Sequence, residues 1–599
     1  MSKFIRDTSF GQFVRLVTRN QVLRYPEEQR DFRLQDSYIK LLEAAELRSK
    51  DRSLPASSQN NVLKDPSVPT GLMLGGTLGH PNSSSGDTSV IEIVSENNGT
   101  HSDPTLPDEE GSATFDEKAH HDDSFEPKVL DDGTIIVNWY GPNDPANPQN
   151  WTSGQKSVPA VIVITYTFAF YLGSSIFTGS YGGVIRQFGV SQQVVSLNLS
   201  MYVLAYGIGP LLWSPLTEIP SVGRGPLYII SFTIFVILLV PTALVNDFPG
   251  LVVLRFLLGF FGSPCLATGP ASLADMFAFA KLPYALATWA LVATSGPAVG
   301  PLLSGYSVPA TSWRWSSWEL LWLSGPLLIA FFFLVPETSS STILLRRAQR
   351  LRARTGQSCF RSQGEIDQSK LQPREVVFEA LCRPIQTMIL DPSIGFTAIY
   401  VALIYGIYYS FFECFPLVYG DGYGFSLGAQ GLLYLPISVG IFLCWVMYLT
   451  WIRFTWEPAA RVGNLGPPER RLIPALFASF MLPIGLFLFA WTATPDIHWI
   501  VSAIGLAILS GGIFLIMQPI FLYLPLGYPK YAASLFAGNT VARSVLAAAI
   551  VHCSQPLYDN LGVARGVTLL GGLTVGCIAG IFALWFYGAS LRARSKFAP

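Results

Sequence analysis

Twelve long apolar runs follow Lys156, and they constrain the fold more than any other feature of this 599-residue sequence. A helix needs about 20 apolar residues to cross the hydrocarbon core of a bilayer. The runs lie six and six around a polar stretch, which predicts an all-α membrane protein with six-helix bundles over 158–336 and 393–588. The predicted spans are 158–179, 194–215, 226–246, 250–272, 283–305, 318–336, 393–416, 428–451, 472–493, 497–524, 531–553 and 566–588.

The composition excludes an ordinary soluble protein. Charged residues make up 13% of the chain, and the mean hydropathy is +0.38. A soluble domain carries about 25% charged residues, so much of this surface must face lipid. The net charge of −1 supplies no broad basic surface, and nucleic acid is therefore not an expected partner.

Residues 1–157 contain no spanning run and are expected to form a cytosolic, largely disordered acidic region. Between positions 62 and 157 there are sixteen Asp or Glu residues and only four Lys or Arg residues. Such a segment buries too little apolar surface to offset the entropy cost of ordering. Residues 1–24 lack the apolar core of a signal peptide, so the N-terminus is expected to stay in the cytosol.

Residues 7–50 differ from the rest of this region. They place apolar residues at helical spacing among Arg and Lys, which fits a membrane-surface helix or a solvated amphipathic turn equally well. The apolar positions are Phe10, Phe13, Val14, Leu16 and Val17.

The loop charges predict the orientation of the bundles. Lys and Arg accumulate in cytoplasmic loops. The central loop over 337–392 holds nine of them, and the segment 589–599 is a basic tail. Both termini are therefore predicted to be cytosolic.

Several chemical functions have no support in the sequence. The seven cysteines are scattered without a CxxC pair, and no phosphate-binding glycine loop is present. No catalytic triad or metal-ligand cluster is apparent either. We therefore expect no metal, no cofactor and no enzymatic activity.

Three charged residues lie inside predicted spans. A charge near the centre of a membrane helix costs about 2.5–3.5 kcal/mol on insertion scales. The three residues are Arg255 in helix 4, Glu413 in helix 7 and Arg543 in helix 11. Either function or an interhelical contact that fixes packing would explain them, although Arg255, well inside its span, favours function.

Helix 5 concentrates small residues and prolines. Small residues permit close helix contact, and proline removes a backbone hydrogen bond and bends the helix. A bend here could seal one side of a cavity, or the segment could be ordinary packing. The residues concerned are Gly296, Pro297, Gly300, Pro301 and Gly305.

Three features, which follow one another along the chain, resemble motifs of the major facilitator superfamily: the loop after helix 2, Arg255 in helix 4 and the small residues of helix 5. The loop after helix 2 has Glu218 followed by Gly223-Arg224, although it carries two extra residues and has Gly225 where a second basic residue is usual. Arg255 matches the helix 4 arginine that the family associates with proton transfer. The run from Gly296 to Gly300 matches the core of the antiporter motif of helix 5, with Pro301 replacing its final Gly.

Further strings are similar to one fungal branch, the twelve-helix drug:proton antiporters related to fluconazole and caffeine resistance exporters. The resemblance covers roughly 145–599. The strings are Asn147-Pro148-Gln149-Asn150-Trp151, Pro336-Glu337-Thr338 and the helix 11 segment from Tyr531 to Asn539.

The resemblance implies proton-driven export of a small molecule, by a monomer in the plasma membrane that works by alternating access. Arg255 would couple proton movement to transport. Aromatic and polar residues of helices 7 and 11 would line the cavity for a large aromatic or cationic compound, namely Tyr408, Phe411, Phe412, Glu413, Phe415, Asn539 and Arg543. Two alternatives remain: an importer or facilitator of a polyamine, vitamin or sugar on the same fold, and a membrane receptor or enzyme that transports nothing.

Overall fold

The computed structural model describes residues 5–43, 128–370 and 372–598. Within these residues, twelve helical segments are long and apolar enough to cross a membrane. We number them TM1 to TM12: Ser153–Phe188, Gln192–Glu218, Arg224–Leu244, Phe248–Met276, Leu282–Ala310, Trp315–Leu334, Pro392–Gly422, Leu427–Val462, Pro468–Thr492, Trp499–Gly527, Ala532–Leu561 and Val563–Ala593.

The spans pack as two six-helix bundles, which confirms the predicted architecture. In the first bundle TM1 packs on TM5 and TM2 on TM4, and in the second TM7 packs on TM11 and TM9 on both TM10 and TM12. TM2 contacts TM11 and TM5 contacts TM8 across the bundle interface. Most helices extend beyond their predicted ends, because the apolar runs mark only the part that crosses lipid.

TM1 is not a continuous α-helix. Its α-helical part covers Ser153–Ser175, a 3₁₀ turn follows at Ile176–Ser180, and a short helix continues over Tyr181–Phe188. The end of an α-helix leaves backbone carbonyls without α-helical partners. The break therefore provides free carbonyl oxygens deep inside the first bundle.

A unit of helices and strands outside the twelve spans, here called the loop unit, joins the N-terminal region to the central loop. Helix α1 is Ser9–Val17, and the central loop contains α2 (Ser340–Thr355), α3 (Gln363–Lys370) and α4 (Pro373–Leu390). Three short strands form one sheet, in which β2 (Ile135–Val137) pairs antiparallel with β1 (Lys128–Val129) and parallel with β3 (Phe360–Ser362). The core of the unit contains Tyr38, Ile135, Val137, Ala348, Leu351 and Phe360.

Arg347 of α2 is the ionic centre of this unit. It forms ion pairs with Asp144 at 2.6 Å and Glu27 at 3.5 Å, and all three side chains are buried. Burial alone would raise the pKa of Asp144, but the hydrogen bond and charge of Arg347 outweigh it and hold that pKa below its ordinary value. Segments from both sides of the 44–127 gap thus meet on α2.

The expectation of a largely disordered N-terminal region does not hold for its described parts. Residues 5–43 and 128–157 contain helices and strands, whereas 44–127 lie outside the described residues. The ordered parts bury Tyr38, Ile135 and Val137 against the central loop, a partner that local composition does not reveal. The central loop is likewise mostly helical.

Candidate transport site

A closed cavity lies where TM1, TM5, TM7, TM10 and TM11 meet. Its volume is about 30 Å³, which holds no more than about two water molecules. Drug-sized ligands occupy cavities of roughly 300–1,000 Å³, so the bundles must separate before a substrate of that size fits. The lining residues are Tyr171, Trp289, Ala290, Ala293, Thr294, Pro297, Tyr405, Tyr408, Ile513, Met517, Gln518, Phe521 and Arg543.

Tyrosine hydroxyls connect the two bundles beside this cavity. Tyr206 of TM2 is 2.6 Å from the hydroxyl of Tyr405 and 3.2 Å from that of Tyr409, both on TM7. The Tyr409 hydroxyl is in turn 3.2 Å from Ser174 Oγ of TM1. These four side chains are buried, so their hydrogen bonds are shielded from water and contribute more than exposed ones would.

Arg543 is at the cavity end of this network. Its guanidinium donates to the Tyr171 hydroxyl at 3.3 Å and lies 5.0 Å from the centre of the Tyr405 ring. Nε of Arg543 is buried without a hydrogen-bond partner among the described residues. The arginine therefore keeps an unused donor next to the cavity.

Arg255 lies within the first bundle, at the break of TM1. Its three nitrogens donate to the carbonyls of Gly173 at 2.9 Å, Ser174 at 3.0 Å and Asn198 at 3.1 Å. The guanidinium also packs on the rings of Phe177 and Tyr202. Arg255 is 1% exposed and is not among the residues that line the cavity. Because it holds the Ser174 backbone, it is linked to the hydroxyl network.

Glu413 lies farther out along TM7 than the cavity tyrosines. It is 4% exposed, and its Oε1 has no hydrogen-bond partner among the described residues. The Tyr181 and Gln192 side chains approach it from the first bundle, and Tyr434 and Tyr558 lie near it in the second. Tyr181 is within electrostatic range of both Glu413 and Arg255. Glu413 therefore belongs to the packed interface between the cavity and the C-terminal end of TM7, and not to the cavity lining.

Most of the expected cavity residues on TM7 lie elsewhere. Tyr408 lines the cavity and donates to the Thr294 carbonyl at 3.0 Å. Phe411 packs on Phe489 of TM9, because helical periodicity turns it away from the first bundle. Phe412 and Phe415 both stack on Tyr434 of TM8, with ring centres 5.3 Å and 4.0 Å apart. The aromatic run of TM7 thus has three different surroundings.

Asn539 is also absent from the cavity lining. It is 2% exposed, and both polar atoms of its amide lack hydrogen-bond partners among the described residues. Only Tyr408 and Arg543, of the seven residues expected there, line the closed cavity.

The small residues of TM5 form close contacts on two sides. A Cβ atom on Gly300 would lie 2.2 Å from Ser175 Oγ and 2.7 Å from the Ile176 amide of TM1. A Cβ atom on Gly296 would lie 2.9 Å from Tyr171 Cβ. Glycine at these positions is what allows TM5 to approach the TM1 break.

The same segment of TM5 also reaches the second bundle. Pro297 lines the cavity. A Cβ atom on Gly305 would lie 2.6 Å from the Leu427 carbonyl oxygen, and one on Gly431 would lie 2.7 Å from the Pro301 carbonyl oxygen. The outer end of TM5 is therefore fitted against the start of TM8.

The motif after TM2 is held by two carboxylates, those of Asp275 and Glu337. Arg224 forms an ion pair with Asp275 at the inner end of TM4, and Glu218 is not its partner. The Glu337 carboxylate accepts hydrogen bonds from the Arg224 and Gly225 amides, each at 3.2 Å, and so caps the N-terminus of TM3. Gly223 has φ +75° and leaves room for this carboxylate. The motif therefore fixes TM3, TM4 and the central loop together.

Sequence reasoning also missed part of the cavity and its network. Gln518 had a visible signal, since it is a polar residue within the apolar run of TM10. The tyrosines Tyr171, Tyr206, Tyr405 and Tyr409 had none, because tyrosine is common throughout these spans.

Twelve spans in two bundles around a central cavity define a membrane transporter. The chain belongs to the Major Facilitator Superfamily, whose sequence pattern matches residues 163–552. Of the solved structures, the human organic anion transporter MFSD10 (TETRAN) aligns with a TM-score of 0.53 over 71% of this chain and 99% of its own, at 14% identity. That likeness concerns the fold alone.

Three fungal relatives match most of the chain. The MFS-type transporter pyvG of Aspergillus violaceofuscus is 49% identical, covering 79% of this chain and 87% of its own. The cycloheximide resistance protein of Candida maltosa is 39% identical, covering 78% and 86%. Fluconazole resistance protein 1 of Saccharomyces cerevisiae is 38% identical, covering 80% and 88%. The resemblance to fungal drug-resistance transporters is thereby confirmed.

Proposed function

We propose that this transporter exports small organic compounds, such as drugs, toxins or secondary metabolites, in exchange for protons. It acts as a monomer in the plasma membrane with both termini in the cytosol. Export is inferred from the sequence identity of 38–39% between this chain and two proteins that are named for drug resistance. The closely packed TM5 segment supports export rather than import, since it resembles the antiporter motif and lies against the TM1 break.

The substrate binds in the cavity after the bundles separate. Aromatic rings dominate its lining and suit flat apolar compounds by stacking. Arg543 is the charged residue of that lining, and its free Nε can donate a hydrogen bond. These features favour neutral or acidic aromatic compounds over cationic ones.

Alternating access requires the outer contacts to open. In the closed form the hydroxyls of Tyr206, Tyr405 and Tyr409 join the bundles, and the start of TM8 abuts the end of TM5. The bundles rock around the central cavity when these contacts break. Arg255 holds the backbone of TM1 at the position where the network begins.

Glu413 carries the exchanging proton in this proposal. Burying a carboxyl group in the closed interface without a cation partner costs little free energy only when the group is neutral. The groups that face it are Gln192 and the hydroxyls of Tyr181, Tyr434 and Tyr558. Arg255 lies within electrostatic range of the same Tyr181. Opening the outer half exposes Glu413 to external water, where it exchanges its proton.

A reconstituted assay tests the exchange. Purified protein in proteoliposomes is given cycloheximide or fluconazole as the trial compound, with and without a pH gradient. We expect movement of the compound against its gradient only when protons flow in the opposite direction, together with a measurable pH change. Movement in the same direction as protons would establish the importer alternative and end the export proposal.

A carboxylate variant tests Glu413 in the same assay. Glu413→Gln should bind the compound yet lose its response to the pH gradient, because it carries no exchangeable proton. Asp421→Asn, an exposed carboxylate at the outer end of the same helix, is the matched control and should keep the full response. An unchanged pH response of Glu413→Gln would assign the proton to another group.

A further inference from the structure

A second cavity lies in the loop unit, away from the transport site. It has a volume of about 510 Å³ and lies between the N-terminal segment and α2. Its lining is formed by Gln12, Arg15, Asn20, Tyr25, Glu27, Glu28, Arg346, Gln349, Arg350, Ala353 and Arg354. Transport through the central cavity gives this space no role.

Three arginines of α2 line the cavity from one helix face. Arg346, Arg350 and Arg354 are spaced four residues apart, so they follow one another along the same side of the helix. Like charges at this spacing destabilise a helix by a few tenths of a kcal/mol per pair, which a bound anion would relieve. The arrangement is therefore suited to several phosphate oxygens at once.

The carboxylates of the cavity are already occupied by other cations. Glu28 pairs with Arg15 at 2.6 Å, and Glu27 is shared between Arg350 and Arg347 at 3.2 Å and 3.5 Å. Among the described residues, neither Arg346 nor Arg354 forms an ion pair. These two guanidiniums leave the cavity with unneutralised positive charge.

The cavity lies next to the membrane boundary. Phe10 of α1 packs on Phe332 and Phe333 at the inner end of TM6, with ring centres 6.1 Å and 4.7 Å apart. The apolar side chains Leu16 and Val17 of the same helix are 77% and 66% exposed. An amphipathic helix with its apolar face open at the end of a spanning helix fits the headgroup boundary of a bilayer. Gln12 and Arg15, on the adjacent face of α1, line the cavity.

We propose that this cavity binds the phosphorylated headgroup of an anionic lipid from the inner leaflet. Guanidinium groups recognise phosphate through paired, charge-assisted hydrogen bonds, which Arg346 and Arg354 supply from one side, with Arg350, paired to Glu27, between them. The acyl chains remain in the bilayer beside Leu16 and Val17. The bound lipid ties α1 to α2, and α2 begins directly after Glu337, the residue that caps TM3.

Binding of a phosphoinositide to the full-length protein tests this site. Protein in nanodiscs of phosphatidylcholine is titrated with fluorescent phosphatidylinositol 4,5-bisphosphate. The test variant is Arg346→Gln with Arg354→Gln, which removes two charges that form no ion pair within the part of the chain that the structure describes. The control is Arg361→Gln with Arg374→Gln, which removes the same charge from exposed positions of the same central segment. Thermal unfolding of both variants verifies that the fold is retained.

We expect the test variant to bind the lipid roughly 20- to 30-fold more weakly, since each basic residue near the surface contributes about 1 kcal/mol. The control should change by less than about 3-fold, because its arginines act only through screened charge. Equal losses in both variants would show nonspecific attraction and overturn the cavity assignment. If soluble inositol trisphosphate binds as tightly as the lipid, the proposal that the bound phosphate belongs to a membrane lipid is wrong.

Discussion

Tyr206 of TM2 and Tyr405 of TM7 share a hydrogen bond of 2.6 Å between their hydroxyls, although 199 residues separate them along the chain. Each belongs to a different bundle, so the bond exists only while the two bundles are in contact beside the cavity. Tyr409 extends it to Ser174, whose backbone is held by Arg255. A buried arginine of the first bundle is thereby linked to the contact between the bundles.

Removing one hydroxyl should open the outer half more often. Tyr206→Phe deletes two hydrogen bonds of the closed state, and each is worth about 1 kcal/mol, so the open population should rise roughly 10-fold or more. Spin labels at Gln193 and Asp559, on the outer ends of TM2 and TM11, report the distance between the bundles.

Tyr400→Phe is the matched control for that measurement. It removes a buried TM7 hydroxyl that has no hydrogen-bond partner among the described residues. We expect a distance distribution like that of the unmodified protein. Identical distributions for Tyr206→Phe and Tyr400→Phe would mean that the hydroxyl network does not hold the outer half closed.

Arg255→Ala should abolish proton-driven efflux while surface expression stays normal. The change leaves three buried carbonyls without their donors and disconnects the TM1 break. Arg255→Lys retains the charge but lacks the planar guanidinium group that reaches three carbonyls at once. This variant should therefore keep only part of the efflux rate. Efflux and substrate binding are measured side by side, because coupling and not recognition should fail.

Arg314→Ala serves as the comparison for Arg255. Arg314 also donates to backbone carbonyls, those of Ala243 and Val245, but it lies outside the transport network. Its removal should leave the pH dependence of efflux intact. If Arg255→Ala exports with unchanged pH dependence, the arginine is only a structural clamp of TM1.

Gly300→Leu should lower transport strongly while the protein still inserts into the membrane. Even a Cβ atom at this position lies 2.2 Å from Ser175 Oγ and 2.7 Å from a backbone nitrogen of TM1, so the helices must move apart. Efflux and leak of the trial compound across proteoliposomes are the measured quantities. Gly325→Leu in TM6, where nothing lies within 4 Å of the added Cβ, should behave as the unmodified protein.

Asp144→Asn should destabilise the loop unit by about 3 kcal/mol, because it leaves the buried Arg347 without its nearest counter-charge. The pKa of Asp144 is lowered in the folded state, so its contribution is present at neutral pH and is lost as the pH falls below the ordinary carboxyl pKa towards that lowered pKa. Hydrogen exchange across residues 340–355 measures both effects.

The effects of Asp144→Asn and of low pH on hydrogen exchange should not be additive, because both remove the same negative charge. Acid should increase exchange in the unmodified protein and in Asp367→Asn, an exposed carboxylate change on α3, but much less in Asp144→Asn. Equal acid sensitivity of all three proteins would assign the pH response to other carboxylates.

The sequence by itself determined the twelve spans, their division into two bundles and the family resemblance. Partition into lipid depends on the local apolar content of about 20 consecutive residues, and that quantity is written in the sequence directly. The cost of burying a charge is equally local, which is why Arg255, Glu413 and Arg543 could be selected before their contacts were known.

Only the tertiary structure decided which groups those residues meet. Arg255 meets carbonyls freed by the TM1 break, Glu413 is buried between the bundles beyond the cavity, and Arg543 reaches the cavity. Arg347 likewise forms ion pairs with Asp144 and Glu27, which are more than 200 positions away in the sequence. Both carboxylates belong to the region that composition alone marked as disordered. Such contacts depend on how helices pack and rotate, and helical periodicity fixes the faces of a helix but not the partner that each face will meet.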